Sequence, residues 1–141
     1  MTTKQYAFPK AEHLCLQKEI EALFHAGSHS HVAFPLRVVF QRVDQVKGPA
    51  VKVLLSVAKR KLRHAVDRNR AKRQLREAYR LQKELLLSTL PDGEGWHIGF
   101  IWLADSPVPS ALVHKKMKGL LLHVAEKAAA LRTTSEKTDT L

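Results

Sequence analysis

Hydrophobic positions along the chain switch between a period near 3.6 and a period of two. In "KAEHLCLQKEIEALFHAG", Leu14, Leu16, Ile20, Leu23 and Phe24 recur at helical spacing, and Gly27 is placed to stop the run. A helix is expected there. "SHSH" reads as a polar break. In "HVAFPLRVVFQRV" the alternation of Phe34, Leu36, Val38 and Phe40 predicts a strand. Pro35 cannot donate to a ladder, so this strand lies at a sheet edge or starts near Leu36. After the turn "DQVKGP", "AVKVLLSVA" predicts a second strand, and "KRKLRH" a short basic link with room for one more strand near residues 59–62.

A long helix is expected from about Asp67 into "KELLLSTL", with the Asp67 carboxylate as N-cap. "PDGEG" marks a loop, and "WHIGFIWLA" is apolar enough to be a central third strand. Trp96 and Trp102 stand six apart on it and share one face, which suits a core better than a base-stacking surface. "DSPVPS" breaks the chain before a closing helix, "ALVHKKMKGLLLHVAEKAAALR", with a wide apolar face. The order is α-β-β-(β)-α-β-α without repeat or linker. At 141 residues this is one α+β domain, spanning 1–132, with 133–141 expected to be a disordered polar tail.

Charge changes the picture. The chain carries a formal +11, and residues 59 to 83 hold eleven Lys or Arg against two acids, a net +9. The remainder has thirteen basic and eleven acidic residues, a net +2. The charge is therefore a patch, which implies a polyanionic partner. No apolar run reaches transmembrane length, and "MTTKQYAFPK" lacks the apolar core of a signal peptide. Cys15 is the single cysteine, so neither an internal disulfide nor a Cys-based metal site is available. The expected compartment is the cytoplasm.

Advancing 100° per residue from Arg68 places Leu85, Ala78, Ala71, Leu75, Leu86 and Tyr79 between about 260° and 20°. That stripe is the buried face. Lys72, Lys83, Arg76, Asn69, Arg80 and Arg73 fall between about 40° and 140°, Arg68 at the border, and Arg70 near 200° beside Glu77. A merely solubilising face mixes signs four residues apart. Here Arg68, Lys72, Arg76 and Arg80 are all cations, a repulsive spacing that phosphates would relieve. Arginine dominates the run, which suits forked contacts to phosphate oxygens. A basic-zipper reading fails, because the heptad register from Leu75 meets Gln82 and Thr89 before Pro91. RNA, gripped by backbone and shape, fits a helix lying on a sheet. A ribosomal or RNA-chaperone module, and more weakly a DNA-binding regulator, could use the same patch.

The stretch "SVAKRKLRHAVDRNRAKRQLREAYR", residues 56 to 80, resembles the signature of the bacterial ribonuclease P protein component family. The matching positions are Ser56, Val57, Lys59, Arg60 and Ala65, then Arg68, Asn69, Arg70, Lys72 and Arg73, followed by Arg76. "EALFHAG" is similar to the end of the family's first helix. The resemblance implies a two-layer sandwich of the ribosomal protein S5 domain 2-like type, with a left-handed crossover. It also implies the protein subunit of a ribonucleoprotein endoribonuclease that removes the 5′ leader of precursor tRNA. Lys59, Arg60, Lys61, Arg63, Arg68, Asn69, Arg70, Lys72, Arg73 and Arg76 would then meet the catalytic RNA. Phe24, Phe34, Val57 and Lys59 would line the leader cleft. The sequence departs from the family at Ile20, at Arg37 and at Ala71, where a stacking ring at each of the first two positions and a larger apolar residue at the third are usual.

A protein nuclease needs clustered acids or histidines. Asp44, Asp67, Asp92, Glu94 and Asp105 are scattered, His29 and His31 offer two metal ligands without a third, and Cys15 on the expected first helix suits a core. The resemblance agrees that catalysis resides in the RNA and in Mg2+ held mainly by it. No catalytic residue, DNA partner or membrane partner is expected for the protein.

Overall fold

Leu36, Val38 and Phe40 alternate with Arg37, Val39 and Gln41, and this period of two builds the strand around which the sheet forms. In the computed structural model, which describes residues 8, 10–25, 28–43, 49–91 and 93–139 (side chains as far as 132), four strands make one sheet. They are β1 (His29–Ala33), β2 (Leu36–Val43), β3 (Val51–Ser56) and β4 (Gly95–Trp102), in the order β1-β2-β4-β3. β2 runs antiparallel to β1 and β4, while β3 and β4 are parallel. The helices are α1 (Gln17–Leu23), α2 (Ala65–Gln82), α3 (Glu84–Leu87) and α4 (Ser110–Asp139). A parallel pair needs a crossover, and α2 with α3 supplies it.

One sheet face carries Leu36, Val38, Phe40, Val51, Val53, Ile98 and Phe100 into the main core, where Leu75, Tyr79, Leu86, Met117 and Leu120 meet them from the helices. Trp96 and Trp102 are both buried there, as their shared parity on β4 predicts. Ala71 is 1% exposed within the same core, so the α2 seam is closed at this small residue. On the opposite face Leu23 of α1 packs with Leu14 and Val39, flanked by Ile20, Leu54 and Ile101. The sandwich thus gains a partial third layer.

Four expectations are corrected. The extra strand is not at residues 59–62, which turn, but at 29–33, where "SHSH" was read as a break. The chain reverses at Phe34–Pro35, so β1 and β2 form a hairpin with Ala33 opposite Leu36. The first helix is split, because residues 13–16 are extended between a 3-10 turn at Lys10–Glu12 and α1. Leu14 N–H donates to the Val53 carbonyl at 2.9 Å, which pairs part of the otherwise open β3 edge and buries the Leu14 side chain. Asp67 is not the N-cap of α2. That position is His64, and Asp67 sits in the first turn, where a carboxylate still favours the helix dipole. The backbone of α4 also remains helical through Asp139, past the boundary at 132 drawn from polarity, since no Gly or Pro intervenes to stop it.

A buried carboxylate ties α4 to the sheet. Glu94 accepts from Trp96 Nε1 at 2.9 Å and from Arg132 Nε at 2.7 Å. Glu94→Ala strands both donors and is expected to cost about 2–4 kcal/mol, read as a lower urea midpoint. Asp105→Ala, at an exposed position, should stay within about 0.5 kcal/mol of wild type.

Candidate nucleic-acid interface

α2 presents its cations as the 100° periodicity requires. Ala71, Leu75, Ala78 and Tyr79 are buried, while Asn69, Arg70, Lys72, Arg73 and Arg76 are exposed. Gln74, missed as a core residue because it is polar, is 6% exposed. Its Nε2 donates to the Val108 carbonyl at 2.8 Å and to Ser110 Oγ at 3.0 Å, locking α2 to the start of α4. Arg70 and Arg73 share that α4 side, bordering a recess of about 260 Å³ with Ser110 and His114. Lys72 and Arg76 lie on the flank away from α4. Glu77 is spent on Arg80, to which it bonds at 2.6 and 2.9 Å. The Arg80 guanidinium holds the Glu77 carboxyl below its usual range, and the carboxylate raises the guanidinium in turn.

The loop before α2 belongs to the same surface. Lys59, Arg60 and Arg63 are exposed and Lys61 is half-buried. Leu62 is buried beneath them and its N–H returns to the Ala58 carbonyl. Arg68 fixes this loop rather than simply facing outward. Its Nη1 donates to the Leu62 carbonyl at 2.8 Å and to the Arg63 carbonyl at 2.7 Å. Among the described residues no carboxylate lies within 4.0 Å of any of these ten predicted contact residues.

The other half of the site is the uncovered part of the second sheet face. Strand register sets Val32, Arg37, Ile101 and Ser56 in one row across it. Phe24, at the C-cap of α1, is 50% exposed beside this row. Its ring lies over Gly99, where an added Cβ would come within 3.7 Å of Phe24 Cζ and 3.2 Å of Leu23 Cδ2. A glycine inside the strand "WHIGFIWLA" is the sequence signal for that close approach. Phe34, 63% exposed, stands at the tip of the β1–β2 hairpin. Val57 does not face this surface. It is 9% exposed within the main core, and Ser56, its neighbour, takes the outward position because strand parity alternates. Arg37 projects from β2, its Nε donating to Ser30 Oγ at 2.9 Å. Ile20 is half-buried at the α1 seam rather than offering a stacking surface.

The remaining polar candidates disperse. His31 stacks on His123 with ring centroids 3.8 Å apart, while His29 leans on Phe40. Burial and the adjacent His31 lower the pKa of His123. Asp67 and Asp105 border a recess of about 310 Å³ under Arg60, Lys61 and Arg63. Cys15 is exposed on the extended segment, not in the core. Asp44 and Asp92, like Gly27, lie outside the described residues. Among the described residues no three His, Cys, Asp or Glu side chains converge on a point that could hold a metal ion.

The family model for ribonuclease P matches residues 8–125. The chain belongs to the ribonuclease P protein component family. Curated relatives carrying that description include one from Porphyromonas gingivalis, strain ATCC 33277, 36% identical over 121 residues that cover 85% of this chain and 88% of the relative. Another, from Chlorobium phaeobacteroides, is 42% identical over 87 residues, covering 58% of this chain and 59% of the relative. Among solved structures, the Staphylococcus aureus RNase P protein superimposes with a TM-score of 0.64 at 20% identity, covering 82% of this chain and 96% of that one. The Thermotoga maritima RNase P protein gives 0.61 at 23% identity, covering 79% and 96%. The α+β fold is thus that of ribonuclease P proteins, and the chain is a protein component of this tRNA 5′-processing endoribonuclease. The ribosomal-protein, RNA-chaperone and DNA-regulator readings are set aside.

In this ribonuclease P protein the cations fall into two kinds. Arg68→Ala removes two bonds to loop carbonyls and is expected to lower stability by about 1–3 kcal/mol. Lys72→Ala, at an exposed position, should change it by less than about 0.5 kcal/mol. Urea unfolding of the two variants side by side checks this.

Proposed function

We propose that the loop at residues 59–63 and the outer flanks of α2 bind the catalytic RNA of ribonuclease P, and that the open sheet face beside Phe24 takes the unpaired 5′ leader of precursor tRNA. One observation carries this reading. A rigid block of unopposed cations adjoins a half-apolar strand face with an exposed aromatic ring. Cations without acid partners favour a phosphate backbone, and an exposed ring over a sheet favours the stacking of unpaired bases.

The chemistry in this reading belongs to the RNA. The protein's described residues form no metal site, so no step is assigned to a protein-bound ion, and the Mg2+ of the reaction is held mainly by the RNA. The protein offsets repulsion between two polyanions and holds the leader in place. Among the described residues no helix is long and apolar enough to cross a membrane. The proposed setting is the cytoplasm, with neither DNA nor membrane as partner.

Cleavage of a precursor tRNA at low Mg2+ tests the division of labour. Activity is expected only when protein and catalytic RNA are combined, and cutting by the protein alone would overturn it. Replacing Lys72, Arg73 and Arg76 together with Ala should weaken RNA binding and flatten its salt dependence by about 0.7–0.9 in log–log slope per lost phosphate contact. An unchanged slope would remove that flank from the interface. Phe24→Ala should weaken leader-bearing precursor more than mature tRNA, and equal losses would assign the ring to packing instead.

A further inference from the structure

The two flanks of α1 differ. At 100° per residue, Ile20 and Phe24 lie on the flank of the leader face, while Lys18, Glu19 and Ala22 lie on the other. That second flank walls a groove of about 520 Å³, floored by Gln41 and His97 from β2 and β4 and rimmed by Arg42. A groove of this size falls within the ordinary range for small-molecule sites.

Its charges are arranged in two parts. At the inner wall, Glu19 Oε2 meets His97 Nε2 at 3.3 Å, whereas Glu19 Oε1 is buried and has no hydrogen-bond donor among the described residues. Burial lowers the pKa of His97 in spite of the carboxylate beside it, so near neutral pH Glu19 carries its charge opposite a neutral ring. A buried carboxylate oxygen without a donor is costly, and a ligand N–H would relieve it. At the rim, Lys18 and Arg42 are exposed cations with no carboxylate within 4.0 Å among the described residues. The occupant that fits both parts has adjacent N–H donors at one end and a phosphate at the other.

We infer that this groove holds a single guanine nucleotide, with the base's N1–H and N2–H donating to the Glu19 carboxylate and its phosphate held by Lys18 and Arg42. Guanine is chosen over other bases because its two donors are neighbours on one edge. Uracil offers one N–H between two carbonyl oxygens that would repel the carboxylate. The inference rests on the proposal that this protein binds RNA, and it adds a base-selective position on the side of α1 away from the leader face. The same chemistry is presented by an unpaired guanosine of bound RNA and by a free guanine nucleotide.

The first test titrates the full chain with 5′-GMP, 5′-UMP and inorganic phosphate while the His97 imidazole resonances are followed by NMR. GMP is expected to bind at least about tenfold more tightly than UMP or phosphate, the effect of one good hydrogen bond. Glu19→Gln should erase the preference. Its amide oxygen can serve either His97 or the base but not both, and its NH2 repels a donor edge. Arg42→Ala should weaken GMP and phosphate alike. Equal binding of GMP and UMP, or an undiminished preference in a Glu19→Gln protein with a wild-type urea midpoint, would overturn the inference. The second test reacts kethoxal, which attacks guanine N1 and N2, with the holoenzyme–precursor complex. A guanine protected by wild type and exposed by Glu19→Gln identifies the RNA strand that supplies it. GMP binding without any such guanine assigns the groove to a free nucleotide. Failure of the base preference with an intact salt slope for RNA strikes this inference alone, whereas a flat slope strikes the RNA-binding proposal beneath it.

Discussion

Arg68, Lys72, Arg76 and Arg80 recur every four residues along one helix, and the fold has to hold that helix against its own repulsion. Each like-charged pair costs a few tenths of a kcal/mol. Burial of one large apolar side chain is worth about 1.5–3 kcal/mol, and α2 buries Leu75 and Tyr79 fully, with Ala71 and Ala78 between them. Packing therefore wins by a wide margin, and the outer flanks are free to be cationic. Two further locks make the charged surface rigid as well as tolerated. Gln74 bonds α2 to the start of α4, and Arg68 spends part of its guanidinium on the loop that carries Lys59 to Arg63. A cation that loses little freedom on meeting a phosphate binds it better than one on a mobile stem.

This dual use of Arg68 shows what a sequence motif can and cannot say. The spacing of arginines gave the helix face, because the 100° rule depends only on local geometry. It could not divide the arginines between holding the fold and holding RNA, since that depends on which carbonyls of a preceding loop come within reach. Gln74 was invisible for the same reason: its burial is set by Val108 and Ser110, more than thirty residues away.

The strands follow the same division. β2, β3 and β4 were legible because each has one buried face, and β4 is buried on nearly every residue as a central strand should be. β1 was not legible. It is an edge strand whose middle three residues are exposed, so no hydrophobic alternation marks it. The pairing of residues 13 and 14 with Val53 is non-local, and Leu14 and Leu16 mimic helical spacing by coincidence. The Val57 assignment failed by a single step of strand parity, which turns one residue into the core and the next toward the open face.

α1 is where these threads meet. It is seven residues long, too short to be stable alone, and it survives by burying Leu23 over Gly99 and by setting Glu19 against His97. The same docking leaves Phe24 exposed on one flank and an unpaired carboxylate oxygen on the other. The charged surface of α2 acts through phosphates, and its grip fades with salt, since exposed charges are screened beyond about 8–10 Å at ordinary ionic strength. The sheet face and the α1 groove act through stacking and hydrogen bonds, which salt barely touches. Affinity and selectivity thus come from different layers of one small domain, and α1 is the element whose position couples them.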